Sequence, residues 1–268
     1  MARRRVDLVE LALIVVLTLV AGIAVGSRYV APIYNRFRAS RGELDTLSAR
    51  YGPDRASSHE EEYFVRDFFR DRRDGVFLDV GAGDYREGSN TYFLERQLGW
   101  SGIAVDALAQ FGADYARFRP HTKFFALFVS DVSGAKARLS VGTNTELSSG
   151  DARFTRAYSP IAGTTNVPTV TLNQLLDDHG IRHLDFVSMD IELSEPKALA
   201  GFDIERFRPA LLVVEDHPEV RQAILDYFQA HQYVAVGRYL RADPQNLWFA
   251  PVGDPLPPPL YGSDLYKR

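Results

Sequence analysis

The sequence predicts an α/β fold: a mostly parallel sheet with helices on both faces, preceded by one transmembrane helix. Three observations carry this. Short aliphatic runs recur between residues 76 and 250, and segments of helical spacing separate them. The first two runs end in acids and glycines, Asp79-Val80-Gly81-Ala82-Gly83 and Asp106, as the carboxyl ends of adjacent strands would. The composition, 46% hydrophobic and 25% charged over 268 residues, is that of a globular chain with a sizeable core.

The elements follow in order. Ser58 and Glu61 read as a capping box, and Tyr63, Phe64, Phe68 and Phe69 recur at helical spacing behind it. Residues 76–80 (VFLDV) form the first strand and 90–98 the helix after it. Residues 102–106 (GIAVD) and 123–129 (KFFALFV) are the next two strands. The polar stretch 131–166 reads as a hairpin or an inserted loop. Residues 172–179 are a helix and 184–190 (LDFVSMD) a strand. Residues 195–200 begin a helix with Pro196 in its first turn, where a missing N–H is tolerated. A strand over 211–215 (LLVVE), a helix over 219–231 and strands over 233–236 and 246–250 complete the domain. No internal repeat is visible.

The N-terminus has a different character. After Arg3, Arg4 and Arg5, residues 11–26 (LALIVVLTLVAGIAVG) carry no charge, and with Leu8, Val9 and Ser27 the run is long enough to span a bilayer. A buried globular helix would show a polar stripe, which this segment lacks. A cleaved secretory signal, with Ala24 and Gly26 at its cleavage site, competes with a retained anchor. The retained single span over 8–27 is preferred, with the following domain on the cytoplasmic side. Arg28, Arg36, Arg38 and Arg41 after the span outnumber the three arginines before it. The chain thus divides into an anchor (1–27), a juxtamembrane linker (28–56), a domain (57–250) and a proline-rich tail (251–268).

Several classes of function are excluded. Lys and Arg total 31 against 35 Asp and Glu, so no basic excess is available for nucleic-acid binding. There is no cysteine, hence no disulfide, no thiolate zinc site and no cysteine nucleophile. No G-x-x-x-x-G-K-[ST] run is present.

In a sheet of this kind the chemistry sits at the carboxyl ends of the strands, beside the switch point. Gly81 and Gly83 would let the backbone approach a ligand, and Asp106 would accept ribose hydroxyls. Taken singly, these features also suit a tight turn and a surface acid. As an ordered pair they favour a nucleoside site. Arg86 breaks the dinucleotide pattern G-x-G-x-x-G, and Asp79 would repel a pyrophosphate but suits the amino-acid part of S-adenosylmethionine. An NAD(P)-dependent oxidoreductase is therefore the lesser alternative.

Two longer blocks are more specific: LDVGAGDYREGSNTYFLERQLGWSGIAVD and DFVSMDIELSEPKALAGFDIERFRPALLVVEDH. In the first, Ser89-Asn90-Thr91, Glu95, Gly99-Trp100 and Gly102 match the pattern S-N-T…E…G-W-x-G. From about 76 to 250 the sequence resembles the FkbM-type S-adenosylmethionine-dependent methyltransferases. The resemblance implies a Rossmann-like seven-stranded sheet. It implies a cofactor pocket lined by Asp79, Gly81, Ala82, Gly83 and Asp106, with Asn90 and Thr91 near the methionine end and Ser130 and Asp131 near the adenine. Two positions depart from the family. Leu193 follows Asp190 and Glu192 where glycine is common, and Glu215-Asp216-His217 replaces E-H-N, displacing the histidine by one residue.

Asp190 and Glu192 at one strand end, with Glu215 and His217 at the next, are the candidate catalytic residues. One of them would take the proton of a hydroxyl acceptor. Alternatively Asp190, Glu192 and Glu215 would hold Mg²⁺ or Mn²⁺. Arg221 would pair with one of these acids or stay solvated. His59, His121, His179, His183 and His231 read as surface or loop residues. The expected activity is O-methylation of a sugar, glycan, lipid-linked or related small-molecule acceptor. A catalytically idle binding or trafficking protein on the same fold is the alternative.

Overall fold

The structure is a computed structural model that describes residues 44–240 and 242–255. The expected anchor, the first part of the linker and most of the proline-rich tail lie outside the described residues. Among the described residues no helix is long and apolar enough to cross a membrane.

Among the described residues ten strands follow in chain order. They are β1 (Val76–Val80), β2 (Ser101–Asp106), β3 (Thr122–Ala126), β4 (Phe128–Val129), β5 (Lys136–Gly142), β6 (Ile161–Val170), β7 (Phe186–Met189), β8 (Leu211–Glu215), β9 (Tyr233–Ala235) and β10 (Asn246–Pro251). Seven of them form one sheet in the order β3-β2-β1-β7-β8-β10-β9. Within it only β10 runs against its neighbours, pairing antiparallel with β8 and β9. The order reverses between β1 and β7, which places a crevice at their carboxyl ends. Leu78, Val105, Val187, Leu212 and Val214 are fully buried in the sheet. This is why the central strands read as unbroken aliphatic runs, and each such side chain contributes about 1.5–3 kcal/mol.

The run read as one strand over 123–129 is two. Its first half, β3, pairs with β2, and β4 leaves the main sheet to pair with β6 at Thr169 and Val170. Both sheets bury apolar side chains, so an apolar run carries no mark of the break. The polar stretch 131–166 is the β5–β6 hairpin, which carries the helix Ala152–Tyr158 between its strands and, with β4, makes a second, three-stranded sheet.

The helix Glu61–Phe69 seats Phe64 against Tyr239 and Trp248, with ring centroids 5.0 and 5.4 Å away. Its start departs from the expected capping box. Ser57 Oγ accepts the Glu62 N–H at 3.1 Å, Glu61 accepts the His59 N–H at 2.9 Å, and Ser58 is exposed. Residues 47–56, read as linker, are tied to the domain. Leu47 is buried, and Tyr63 Oη and Arg66 bond the carbonyls of Gly52 and Tyr51.

Candidate active site

A cavity of about 400 Å³ opens at the carboxyl ends of β1, β2, β7 and β8. Gly81, Ala82 and Gly83 form one wall, in the turn that leaves β1. Gly81 has φ +82°, and a Cβ there would stand 1.7 Å from the carbonyl oxygen of Asp190, so this turn needs glycine for space as well as for its left-handed backbone. Asp106, at the end of β2, accepts the N–H of Gly83 at 3.0 Å and of Leu108 at 2.7 Å. Leu108, Phe111, Leu127 and Phe128 add an apolar slot beside it.

Four of the expected cofactor residues do not line the cavity. Asp79 is buried beneath the turn, where it accepts the Thr91 hydroxyl at 2.7 Å. Burial pushes its pKa up to about 6, against the Thr91 bond and the Arg119 charge. Asp79 and Thr91 therefore face each other behind the cavity wall. Asn90 does reach the wall, with its Nδ2 donating to Ser188 Oγ at 3.0 Å and its Oδ1 buried without a partner. Ser130 and Asp131 are carried away with β4. The Ser130 N–H bonds Val170 O, and its hydroxyl donates to Asp131. Leu127, Phe128 and Val129 supply that part of the wall instead.

The opposite end is acidic. Asp190, Glu192, Glu215 and Glu146 line it. Asp190 is accessible from the cavity, yet protein crowds it closely enough that desolvation raises its pKa. Burial, and then the charges of Asp190 and Glu192, hold the Glu215 carboxyl far above the usual range. Burial and Asp190 bring Glu192 to about 9. Glu215 shares a hydrogen bond with Asp190. These carboxyls cannot all ionise together without a compensating cation. His217 Nε2 stands 2.8 Å from Glu215 and 3.3 Å from Glu192. Despite its displaced position in the sequence, the histidine thus reaches both acids. Asp216 accepts from Arg221 Nε at 2.6 Å, so Arg221 pairs with none of the cavity acids.

Glu192, Glu215 and His217 each offer a ligand atom within 4.8 Å of the others. Asp190, an expected ligand, falls outside this group, and His217 takes its place. Glu192 and Leu193 both have left-handed backbone, at φ +53° and +75°. The Ser149 hydroxyl, from the β5–β6 hairpin, bonds Glu192 O at 2.6 Å and braces this turn.

A family model described as the methyltransferase FkbM domain matches residues 79–235, more than half of the chain. The chain belongs to the FkbM methyltransferase family. No curated protein matches it. Solved structures similar to this FkbM-family chain include the O-methyltransferase from Bacillus cereus in complex with SAH. It is 10% identical, with 79% of this chain and 90% of that chain covered and a TM-score of 0.40. Precorrin-6y C5,15-methyltransferase from Geobacter metallireducens is 10% identical, over 65% of this chain and 70% of that chain, at TM-score 0.39. Burkholderia thailandensis 1,6-didemethyltoxoflavin-N1-methyltransferase is 15% identical, over 93% and 91%, at TM-score 0.31. The family assignment rests on the domain match, and the fold on the strand order of the sheet.

In this FkbM domain most of the S-N-T…E…G-W-x-G pattern is architectural. Ser89 caps the helix Tyr92–Leu98 by accepting the Tyr92 N–H, Glu95 pairs with the fully buried Arg119, and Trp100 packs under Gly75. Sequence reasoning missed Glu146 and the cavity residues Ser58, His59, Glu61, Gln245 and Asn246. Of the five histidines read as surface or loop residues, His59 is the one on the cavity wall. No spacing signal links 58–61 to 245–246, because the contact is purely tertiary.

Proposed function

We propose that this FkbM-family domain is an S-adenosylmethionine-dependent O-methyltransferase acting on a hydroxyl of a sugar, glycan, lipid-linked or related acceptor. The carrying observation is that one cavity joins the glycine turn and Asp106 to the cluster of Asp190, Glu192, Glu215 and His217. The residues suit the cofactor. Gly81 leaves no side chain in the turn, and the Asp106 carboxylate keeps lone pairs for ribose hydroxyls beyond its two backbone bonds. Asn90 Oδ1, buried without a partner, is an acceptor for an ammonium group. When bound, S-adenosylmethionine supplies a sulfonium methyl open to in-line displacement.

The chain's own contribution is position and a proton acceptor. Glu215, whose pKa is raised by burial and by the charges of Asp190 and Glu192, keeps the proton it shares with Asp190. Asp190 is then the ionised partner that faces the cavity and receives the hydroxyl proton. Glu192, Glu215 and His217 would hold Mg²⁺ or Mn²⁺, which would lower the acceptor's pKa. A single span over 8–27 would anchor the domain on the cytoplasmic face, where the methyl donor is made, and raise its concentration near a lipid-linked acceptor.

Isothermal titration tests the reading. S-adenosylmethionine should bind and NAD should not. Asp106→Ala should weaken binding at least tenfold, through loss of charge-assisted bonds of about 1.5–3 kcal/mol each. Binding of NAD alone would establish the oxidoreductase alternative. Cofactor binding with no turnover on any hydroxyl acceptor would establish the idle protein. Protease protection in spheroplasts tests the anchor: digestion of the domain by external protease would overturn the cytoplasmic assignment.

A further inference from the structure

The FkbM match begins at residue 79 and ends at 235, yet the cavity does not stop there. Its rim is completed by Ser58, His59 and Glu61, just before and at the start of the first domain helix, and by Gln245 and Asn246 at the start of β10. The two segments are bridged across the mouth. Gln245 Nε2 lies 3.3 Å from His59 Nε2, and Asn246 Nδ2 donates to Glu61 at 3.2 Å. Imidazole, carboxamide and hydroxyl groups each donate and accept, as hydroxyl-rich ligands require. The charge of the cavity is one-sided. Among the described residues no lysine or arginine lines it, whereas the carboxyls of Asp84, Glu87, Asp106, Glu146 and Asp190 do. A phosphate or carboxylate on the acceptor would meet like charge with no lysine or arginine to pair with, a juxtaposition that excludes wrong partners.

We infer that the rim formed by Ser58, His59, Gln245 and Asn246 is the acceptor subsite, and that it takes an uncharged polyhydroxylated acceptor and rejects anionic ones. The inference rests on the methyl-transfer reading and adds the location and the charge class of the acceptor. His59 has a half-exposed side chain and Gln245 is exposed, so substitution there leaves the core intact.

The test uses the full chain, radiolabelled S-adenosylmethionine and neutral methyl hexosides, each paired with its 6-phosphate and its uronate. Label should enter the neutral members at least tenfold faster than their anionic partners. His59→Ala and Gln245→Ala should raise KM for a neutral hexoside about tenfold while leaving S-adenosylhomocysteine affinity unchanged. Gln245→Arg should narrow the gap between a hexoside and its phosphate. Equal or faster turnover of the anionic members, unchanged KM in both alanine variants, or no label in either series from a chain that binds S-adenosylhomocysteine would each overturn the inference. Failure of the unsubstituted chain to bind S-adenosylhomocysteine would instead overturn the methyl-transfer reading beneath it.

Discussion

The carbonyl oxygen of Asp190 occupies the space that a Cβ on Gly81 would need, 1.7 Å from it. The turn after β1 and the end of β7 are thus in backbone contact, and the cofactor end of the cavity is built directly against its acidic end. Gly83, two residues on, also has positive φ, at +53°, but its added Cβ would meet nothing within 4 Å. Gly81→Ala must push the two strand ends apart and should abolish binding of S-adenosylhomocysteine. Gly83→Ala should keep the fold at a cost of about 1–2 kcal/mol from the left-handed backbone alone. Urea denaturation and ligand titration of the two variants check the contrast. Equal behaviour would show that the contact does not control the site.

Leu193 holds φ +75° where the family commonly has glycine. The left-handed conformation costs a non-glycine residue about 1–2 kcal/mol, and glycine's extra chain entropy costs about 0.5–1 kcal/mol. Leu193→Gly should therefore stay within about 1 kcal/mol of the parent in urea denaturation, while Leu193→Val, β-branched and stiffer, should lose more than that. A large loss in the glycine variant would mean that packing of the Leu193 side chain outweighs its backbone strain.

Asp79, Glu195 and Glu192 are raised to about 6, 7 and 9 from ordinary values of 3.8, 4.5 and 4.5. Their protons are held more tightly in the folded state. The stability they contribute is complete below about pH 4 and is lost as pH rises through 6, 7 and then 9. Denaturation midpoints should fall from pH 5 to pH 9. Glu192→Gln should flatten the upper part of that decline, and Mn²⁺ should raise the midpoint most at alkaline pH if Glu192, Glu215 and His217 hold it. An unchanged pH profile in Glu192→Gln would place the strain elsewhere.

Arg119 is fully buried against Glu95, and it also bonds Tyr85 O and Thr91, whose hydroxyl serves Asp79. Arg119→Met alone leaves Glu95 as an uncompensated buried charge and should cost about 3–5 kcal/mol. Pairing it with Glu95→Gln should recover part of that loss. A double-mutant cycle by chemical denaturation reads the coupling, and strict additivity would deny it.

The local chemistry of the chain was legible in the sequence. VFLDV and LLVVE are β1 and β8 with the bounds read from their aliphatic runs, and EPKALA is the helix Glu195–Ala200, because burial on both sheet faces and a proline in the first turn leave local marks. The placement of Gly81, Asp106, Asp190 and Glu215 at strand ends followed from the same alternation. Side-chain direction and long-range pairing did not. Asp79 and Thr91 satisfy each other beneath the turn, since a buried carboxyl needs a donor. Ser130 and Asp131 leave with β4, because β6 competes successfully for the end of an apolar run that would suit either sheet. His217 meets Glu192, and His59 meets Gln245, across separations of 25 and 186 residues. Contacts over such distances are decided when the sheet closes and its strand ends converge, and no local pattern in the sequence encodes them.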